Sequence, residues 1–267
     1  YGGARSTNIS DIVANLQQFT AAEGNGTLLL AGVALMVVGL AFKVSAVPFH
    51  MWTPDVYEGS PTNVTGYMAS VSKVAAFGAM LRVLLVALPF QRDDWRPVVW
   101  VLAVLSLVIG GALAVVQTDV KRMLAYSSIS HAGFILVGVE AAGHRAGEYG
   151  ALGDGLPAVA VYLLIYSVLA VGSFAVVGLV GRSNGGDTSL DAFDALAKRR
   201  PVVAVALTVF LLAQAGVPFT SGFIAKWGVI QAAVTEESYA IAIIAMLAAV
   251  IAAFLYLRIM VSMWLQD

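Results

Sequence analysis

Long apolar runs alternate with short polar connectors along the whole chain. The runs are Gly26–Tyr57, Asn63–Leu88, Val98–Val116, Met123–Ala142, Leu156–Val180, Pro201–Val234 and Tyr239–Trp264. A membrane-crossing helix needs roughly 20 such residues. Two runs are interrupted. The first breaks near Pro48, and Pro201–Val234 breaks at AGVPFTSG, Ala215–Gly222. The pattern predicts an all-α polytopic membrane protein with about seven spanning helices, two of them discontinuous, in one membrane domain covering residues 1–267. The longest connector, Gly181–Arg200, is polar, and its LDAFDALAKR stretch predicts a short amphipathic helix at the interface. Tyr1 is not a methionine, YGGARSTNIS resembles the exit of an earlier helix, and the chain stops straight after an apolar run. It reads as an internal segment of a longer protein.

Seven spans place the connectors alternately on two sides. One side collects Lys121, Arg122, Arg182, Lys198, Arg199, Arg200 and nearby Arg258. The other collects Arg5, Arg92, Arg96 and Arg145, among many acids. The excess of Lys and Arg puts loops 118–122 and 181–200 in the cytoplasm. Trp52, Trp95, Trp100 and Trp264 near span ends read as an aromatic belt.

Composition narrows the chemistry. Hydrophobic residues make up 60% and charged residues 12%, about half the charge of a soluble chain. A net charge of −1 gives no reason to expect nucleic acid. The absence of cysteine excludes disulfides and thiolate-held iron–sulfur clusters, and three scattered histidines predict no metal site. No phosphate loop or dinucleotide fingerprint is present.

The charges inside the apolar runs carry the functional signal. Of five lysines, Lys121 and Lys198 fall in connectors, and Lys43, Lys73 and Lys226 fall within spans. Lys73 lies about 15 Å along its helix, near mid-bilayer, where a lysine costs roughly 2.5–3.5 kcal/mol to insert. No Asp or Glu lies deep in any span; Asp55, Glu58, Asp119 and Glu140 all sit near span ends. Lys73 is too deep to snorkel, so its choices are a structural ion pair or a proton relay. Burial favours a neutral amine and an approaching carboxylate favours the ammonium, so a lysine between those states can relay protons. Arg82 reads as an interfacial anchor. The breaks share VPFH (Val47–His50) and VPFT (Val217–Thr220), each near a lysine, on spans that start from opposite sides. That is the signature of an inverted repeat with paired discontinuous helices.

Further polar residues could extend the relay. His50 either caps backbone carbonyls freed by the break or joins the path. SSISHAG in the fourth span offers Ser127, Ser128, Ser130 and His131 as water-holding groups, against the plainer reading of hydroxyls bonding their own helix turn. Tyr126, Tyr162 and Tyr166 could join this track, and His144 reads as an outer-loop residue without a specific role.

Three long motifs together resemble a known family. They are GLAFKVSAVPFHMWTPDVYEGSPTNVTGYMASVSKVAAFGAMLRV, TDVKRMLAYSSISHAG and AGVPFTSGFIAKW. They look like the antiporter-like N subunits of the proton-pumping NADH:quinone oxidoreductase, respiratory complex I. Related L and M subunits and multi-subunit Na⁺/H⁺ antiporters share part of the pattern but differ around ASVSKVAAFG, Ala69–Gly78. The resemblance implies two five-helix inverted repeats, with residues 26–89 as the last two helices of the first and 98–264 as the second. It implies that Lys43 sits on a broken helix, Lys73 at the centre and Lys226 on the second broken helix. It places a glutamate partner for Lys43 upstream of Tyr1. It also implies a bacterial inner-membrane location and no cofactor in this chain. NADH, FMN, iron–sulfur clusters and quinone belong to partner subunits, and the neighbours are other membrane-arm subunits and lipid.

The reading is then a proton-translocating membrane subunit in which Lys43, Lys73, His131 and Lys226 form a relay driven by quinone reduction elsewhere. The alternatives are a secondary Na⁺/H⁺ antiporter subunit and a structural membrane scaffold. An intramembrane enzyme ranks last, for want of a carboxylate pair, metal cluster or activated nucleophile.

Overall fold

The computed structural model describes residues 6–19, 26–147 and 153–266. The described residues are helical, with twelve α-helices in chain order: α1 Ile9–Phe19, α2 Gly26–Val44, α3 Trp52–Gly59, α4 Thr62–Tyr67, α5 Lys73–Leu81, α6 Arg92–Val115, α7 Val120–Gly143, α8 Gly155–Ser183, α9 Leu196–Arg199, α10 Pro201–Ala215, α11 Ser221–Thr235 and α12 Tyr239–Leu265. Helices α4 and α5 form one rod, Thr62–Ala87, joined by a π-helical turn at Met68–Ser72 and extended by another at Arg82–Ala87. Six of these rods are long and apolar enough to cross a membrane, and α10 is a shorter apolar helix paired end to end with α11. The protein is a membrane protein.

The bundle is built around its least apolar span. Helix α7 carries the serines and the histidine, and 23 of its 24 residues are buried. Helices α3, α6, α8, α11 and α12 all pack against it. The spans around it carry Leu35, Leu164, Val250 and Leu257 outward, as lipid-facing helices do. The contact between α6 and α7 is close because it is made by glycine: a Cβ on Gly110 would lie 2.7 Å from Ser130 N, and one on Gly133 2.8 Å from Leu107 N. Small residues let helix backbones approach in this way.

The two interrupted spans end alike. Ser45 (φ 65°) and Gly216 (φ 83°) take left-handed conformations that close α2 and α10. The next residue then bonds back five positions, Ala46 N to Ala41 O at 2.9 Å and Val217 N to Leu212 O at 3.2 Å. The shared Val-Pro-Phe tripeptides sit one residue apart relative to these closures. Polar side chains satisfy the first break: Val47 N donates to Ser106 Oγ (2.9 Å), Thr53 Oγ1 to Ser45 Oγ (2.7 Å) and Trp52 Nε1 to Phe42 O (3.1 Å).

Several expectations are corrected. The helix of the third span begins at Arg92, not Val98: it runs on through Pro97, and Asp93 and Asp94 suit a helix N-terminus. LDAFDALAKR is not one amphipathic helix. It forms a 3₁₀ turn at Leu190–Phe193 and the single turn of α9, parted by Ala195 at φ 51°. Helix α1 is an addition to the expected spans; Ile9, Ile12 and Leu16 give it an apolar stripe that packs on the core. Trp95 belongs to no belt: it is buried, donates from Nε1 to Leu88 O (2.9 Å) and fills the space beside Gly143. Residues 1–5, with Arg5, and the middle of the 143–155 connector lie outside the described residues.

Lys121 is also corrected. It lies in the first turn of α7, is buried, and donates from Nζ to Glu58 O and Ser60 O, both at 2.7 Å, at the C-terminal end of α3. Beside it, Arg122 pairs with Asp55 and Glu58, and Asp119 caps α7. The long connector docks here through Val120 N to Thr188 O and Leu190 N to Thr118 O, so both connectors lie on one face of the bundle. Lys121→Met removes both charge-assisted bonds, and the expected loss is about 2 kcal/mol. Thermal unfolding of the purified protein checks it; an unchanged midpoint would show that solvent caps these carbonyls equally well.

Candidate functional site

The π turn at Met68–Ser72 ends at Lys73. One extra residue per turn widens the helix and rotates the residues beyond it, a feature that recurs at functional sites. Ser70 Oγ bonds Gly66 O (2.7 Å) within that turn. The result aims Lys73 at α7. Its side chain is 2% exposed, and Nζ donates to Ser128 O and Ser128 Oγ, both at 2.8 Å, with the Tyr166 ring centroid 5.9 Å away. The hydroxyls of Tyr57 and Tyr166 lie against Ser128.

His131 comes after Ser128 on the next turn of α7. Its Nδ1 is 2.8 Å from Tyr162 Oη and its Nε2 3.1 Å from Tyr256 Oη, and Tyr256 also bonds Ser127 Oγ. Tyr166 packs on the imidazole at 5.0 Å between centroids. His131 is within electrostatic reach of both Lys73 and Lys226.

Lys226 sits on α11 past the second break. It is 5% exposed, and Nζ donates to Ala215 O (2.8 Å), the final residue of α10, and lies 4.9 Å from the Phe134 ring centroid. The lysine thus caps the half-helix that precedes it, as a cation suits a helix C-terminus. Next to it, Gln214 Nε2 bonds Ser173 Oγ at 2.6 Å.

Lys73 and Lys226 are both held by neutral oxygens and aromatic faces. No ion pair to either is present among the described residues. Cations sit favourably over rings within about 6 Å.

Not every expected residue joins this track. Lys43 is exposed on the side of α2. Tyr126 is buried without a hydrogen bond to the chain of groups, and Ser130 Oγ has no partner. His50 is 5% exposed, at the first break, and makes no hydrogen bond to the lysine–histidine chain. Tyr57, Tyr256, Gln214 and Ser173 belong to the polar interior although the sequence did not single them out. Tyr256 and Gln214 had a signal: each is a polar residue set within a long apolar run. His144 is corrected too, since it bonds Glu140 and Ser238, both at 3.0 Å.

Residues 1–252 match the family model for NADH:quinone oxidoreductase/Mrp antiporter transmembrane domains. The chain is 48% identical over 276 residues to an NADH-quinone oxidoreductase subunit N 3 of Streptomyces griseus, covering 100% of this chain and 48% of the relative. It is 50% identical over 241 residues to an NADH-quinone oxidoreductase subunit N of Rhodococcus opacus, covering 90% and 43%. Among solved structures it resembles a chain of the Thermus thermophilus respiratory complex I with bound aureothin (32% identity, TM-score 0.74, 92% and 52% covered). It also resembles a chain of the Mrp complex from Dietzia sp. (27% identity, TM-score 0.86, 100% and 47% covered). The chain spans about half the length of the curated relatives it matches.

Proposed function

The chain belongs to the NADH:quinone oxidoreductase/Mrp antiporter transmembrane family, and from that premise we propose that it is the proton-conducting core of an N-type membrane subunit of an NADH:quinone oxidoreductase. The observation that carries this reading is the placement of Lys73, His131 and Lys226 in one buried interior that also holds tyrosine and serine hydroxyls. A lysine that bonds only neutral oxygens can release its proton without leaving an unpaired carboxylate behind. It can then be recharged through its neighbours.

In this reading Lys73 exchanges a proton with Ser128 and the flanking tyrosines. His131 receives it through bridging water and passes it toward Lys226. Water between Ser128, His131 and Lys226 completes the chain, since a bridging water is nearly as good as a direct hydrogen bond. Lys43 meets a carboxylate from outside this segment, and its charge sets how strongly Lys73 holds its proton. The two broken helices are equivalent members of inverted repeats, 26–89 and 98–264. The face carrying Lys121, Arg122 and the 181–200 connector lies in the cytoplasm of a bacterial cell. Electrons pass through NADH, FMN, iron–sulfur clusters and quinone in partner subunits, and this chain contributes the proton path.

The discriminating experiment uses the assembled complex in liposomes. NADH-driven proton translocation is expected to persist in sodium-free buffer. Sodium-dependent proton release by the subunit without NADH would favour a secondary antiporter. Full translocation with Lys43, Lys73 and Lys226 all neutralised would favour a scaffold.

A further inference from the structure

One buried carboxylate stands apart from the lysine–histidine chain. Glu140 is 3% exposed and is the only buried acid among the described residues. It lies nine residues past His131 on α7, about 13 Å along the helix and toward the end remote from Lys121 and Arg122.

Its two oxygens are treated differently. Oε1 faces His144 Nε2 at 3.0 Å, Ser238 Oγ at 3.3 Å and Arg96 Nε at 3.7 Å. Oε2 has no hydrogen-bond partner. A carboxylate kept only for structure gains by satisfying both oxygens, because a buried bare acceptor costs about 1–3 kcal/mol, and more when charged. Arg96 and His144 are partly exposed, so the Oε1 side reaches the membrane surface. Arg92 bonds the carbonyls of His144 and Ala146, and Arg145 pairs with Glu236, which ties the turn around the acid in place.

An apolar layer separates Glu140 from the central chain. Phe134–Val139 on α7 are buried and apolar apart from Gly138, and a Cβ on Gly138 would touch Val159 of α8 and Val229 of α11 at 2.6 and 3.0 Å. Polar groups therefore lie on both sides of an apolar plug, with a bare carboxylate oxygen on the outer side.

We propose that Glu140 and His144 form the proton-exchange station at this end of the subunit. It rests on the proton-translocation reading above. A proton crossing the plug when water enters it adds to the carboxylate of Glu140. Transfer to the unprotonated Nε2 of His144 restores the carboxylate, the imidazolium gives its Nδ1 proton to water at the surface, and exchange with surface water returns the ring to its Nδ1–H tautomer. One proton crosses, and only O–H and N–H bonds form and break. Ser238 and Arg96 hold Oε1 in line with the imidazole throughout.

The test uses the assembled complex in liposomes, with protons moved per electron pair as the readout. Glu140→Gln keeps the size and the bond to Ser238 but takes up no proton, so the ratio is expected to fall as far as in Lys73→Ala. Glu140→Asp is expected to recover part of it. A wild-type ratio in Glu140→Gln, with a lowered ratio in Lys73→Ala, overturns this station alone; wild-type ratios in both overturn the translocation reading itself. If Glu140→Gln does not assemble, carbodiimide labelling of the wild-type complex decides. A protonated carboxyl in an apolar site forms a stable acylurea, so the Glu140 peptide is expected to carry that mass. Complete lack of modification there overturns the station.

Discussion

Replacing Lys73 with alanine is expected to slow NADH-driven proton translocation by about 10²-fold, the scale on which a positioned proton-transfer group acts. The subunit should still insert and assemble. Lys73 is held at 2% exposure by two bonds to Ser128, so alanine removes the amine from the middle of the chain and leaves Ser128 without its donor. It also removes a group that costs roughly 2.5–3.5 kcal/mol to place at mid-bilayer. That relief offsets much of the lost bonding and the small void. Lys73→Arg should fail as badly, because a guanidinium keeps its charge and cannot cycle. Proton uptake and quinone reduction, measured together on complex shown intact by native electrophoresis, check both variants. Full pumping by an intact Lys73→Ala complex would remove this residue from the path.

The second large effect is structural and reaches the same chain through Lys226. Gly222 opens α11 where that helix crosses the end of α10, and a Cβ there would lie 1.7 Å from Ala213 O. No side-chain motion relieves a clash with backbone. Gly222→Ala must push the half-helices apart, at about 1–3 kcal/mol or more for overpacking. Lys226 is one turn further along α11, so its 2.8 Å bond to Ala215 O should break as well. The expected outcome is a lower unfolding temperature together with impaired translocation. Wild-type values for both would show that the half-helices can separate at no cost.

Much of this architecture is legible in the chain because spans and breaks are local. Apolar run lengths mark the rods, and VPFH and VPFT mark both breaks. The buried lysines are legible because a charge inside an apolar run has few plain explanations. The features that sequence reasoning misplaces depend on three-dimensional neighbours. Lys121 looks like a connector residue, yet the end of α3 covers it. Trp95 looks like a belt residue, yet Gly143 makes room for it inside. Glu140 and His144 look peripheral because their shared partner Ser238 lies far along the chain. Tyr57 escapes notice because tyrosine near a span end reads as an anchor, and Tyr256 because a single polar residue within a long apolar run also reads as packing. Their burial against α7 is set by packing that no periodicity reveals. Lys43 is legible as a charge in an apolar run; its side chain is exposed on α2, and the partner proposed for it belongs outside this segment.

The central claim is that Lys73, His131 and Lys226 act in series. Protons moved per electron pair in Lys73→Ala, Lys226→Ala and the double variant test it most directly. Groups acting independently lower the ratio additively. Groups in one path lower it equally, and the double variant falls no further than either single one. Equal single losses with no further loss in the double variant are the predicted result; additive losses would contradict a single path through this chain.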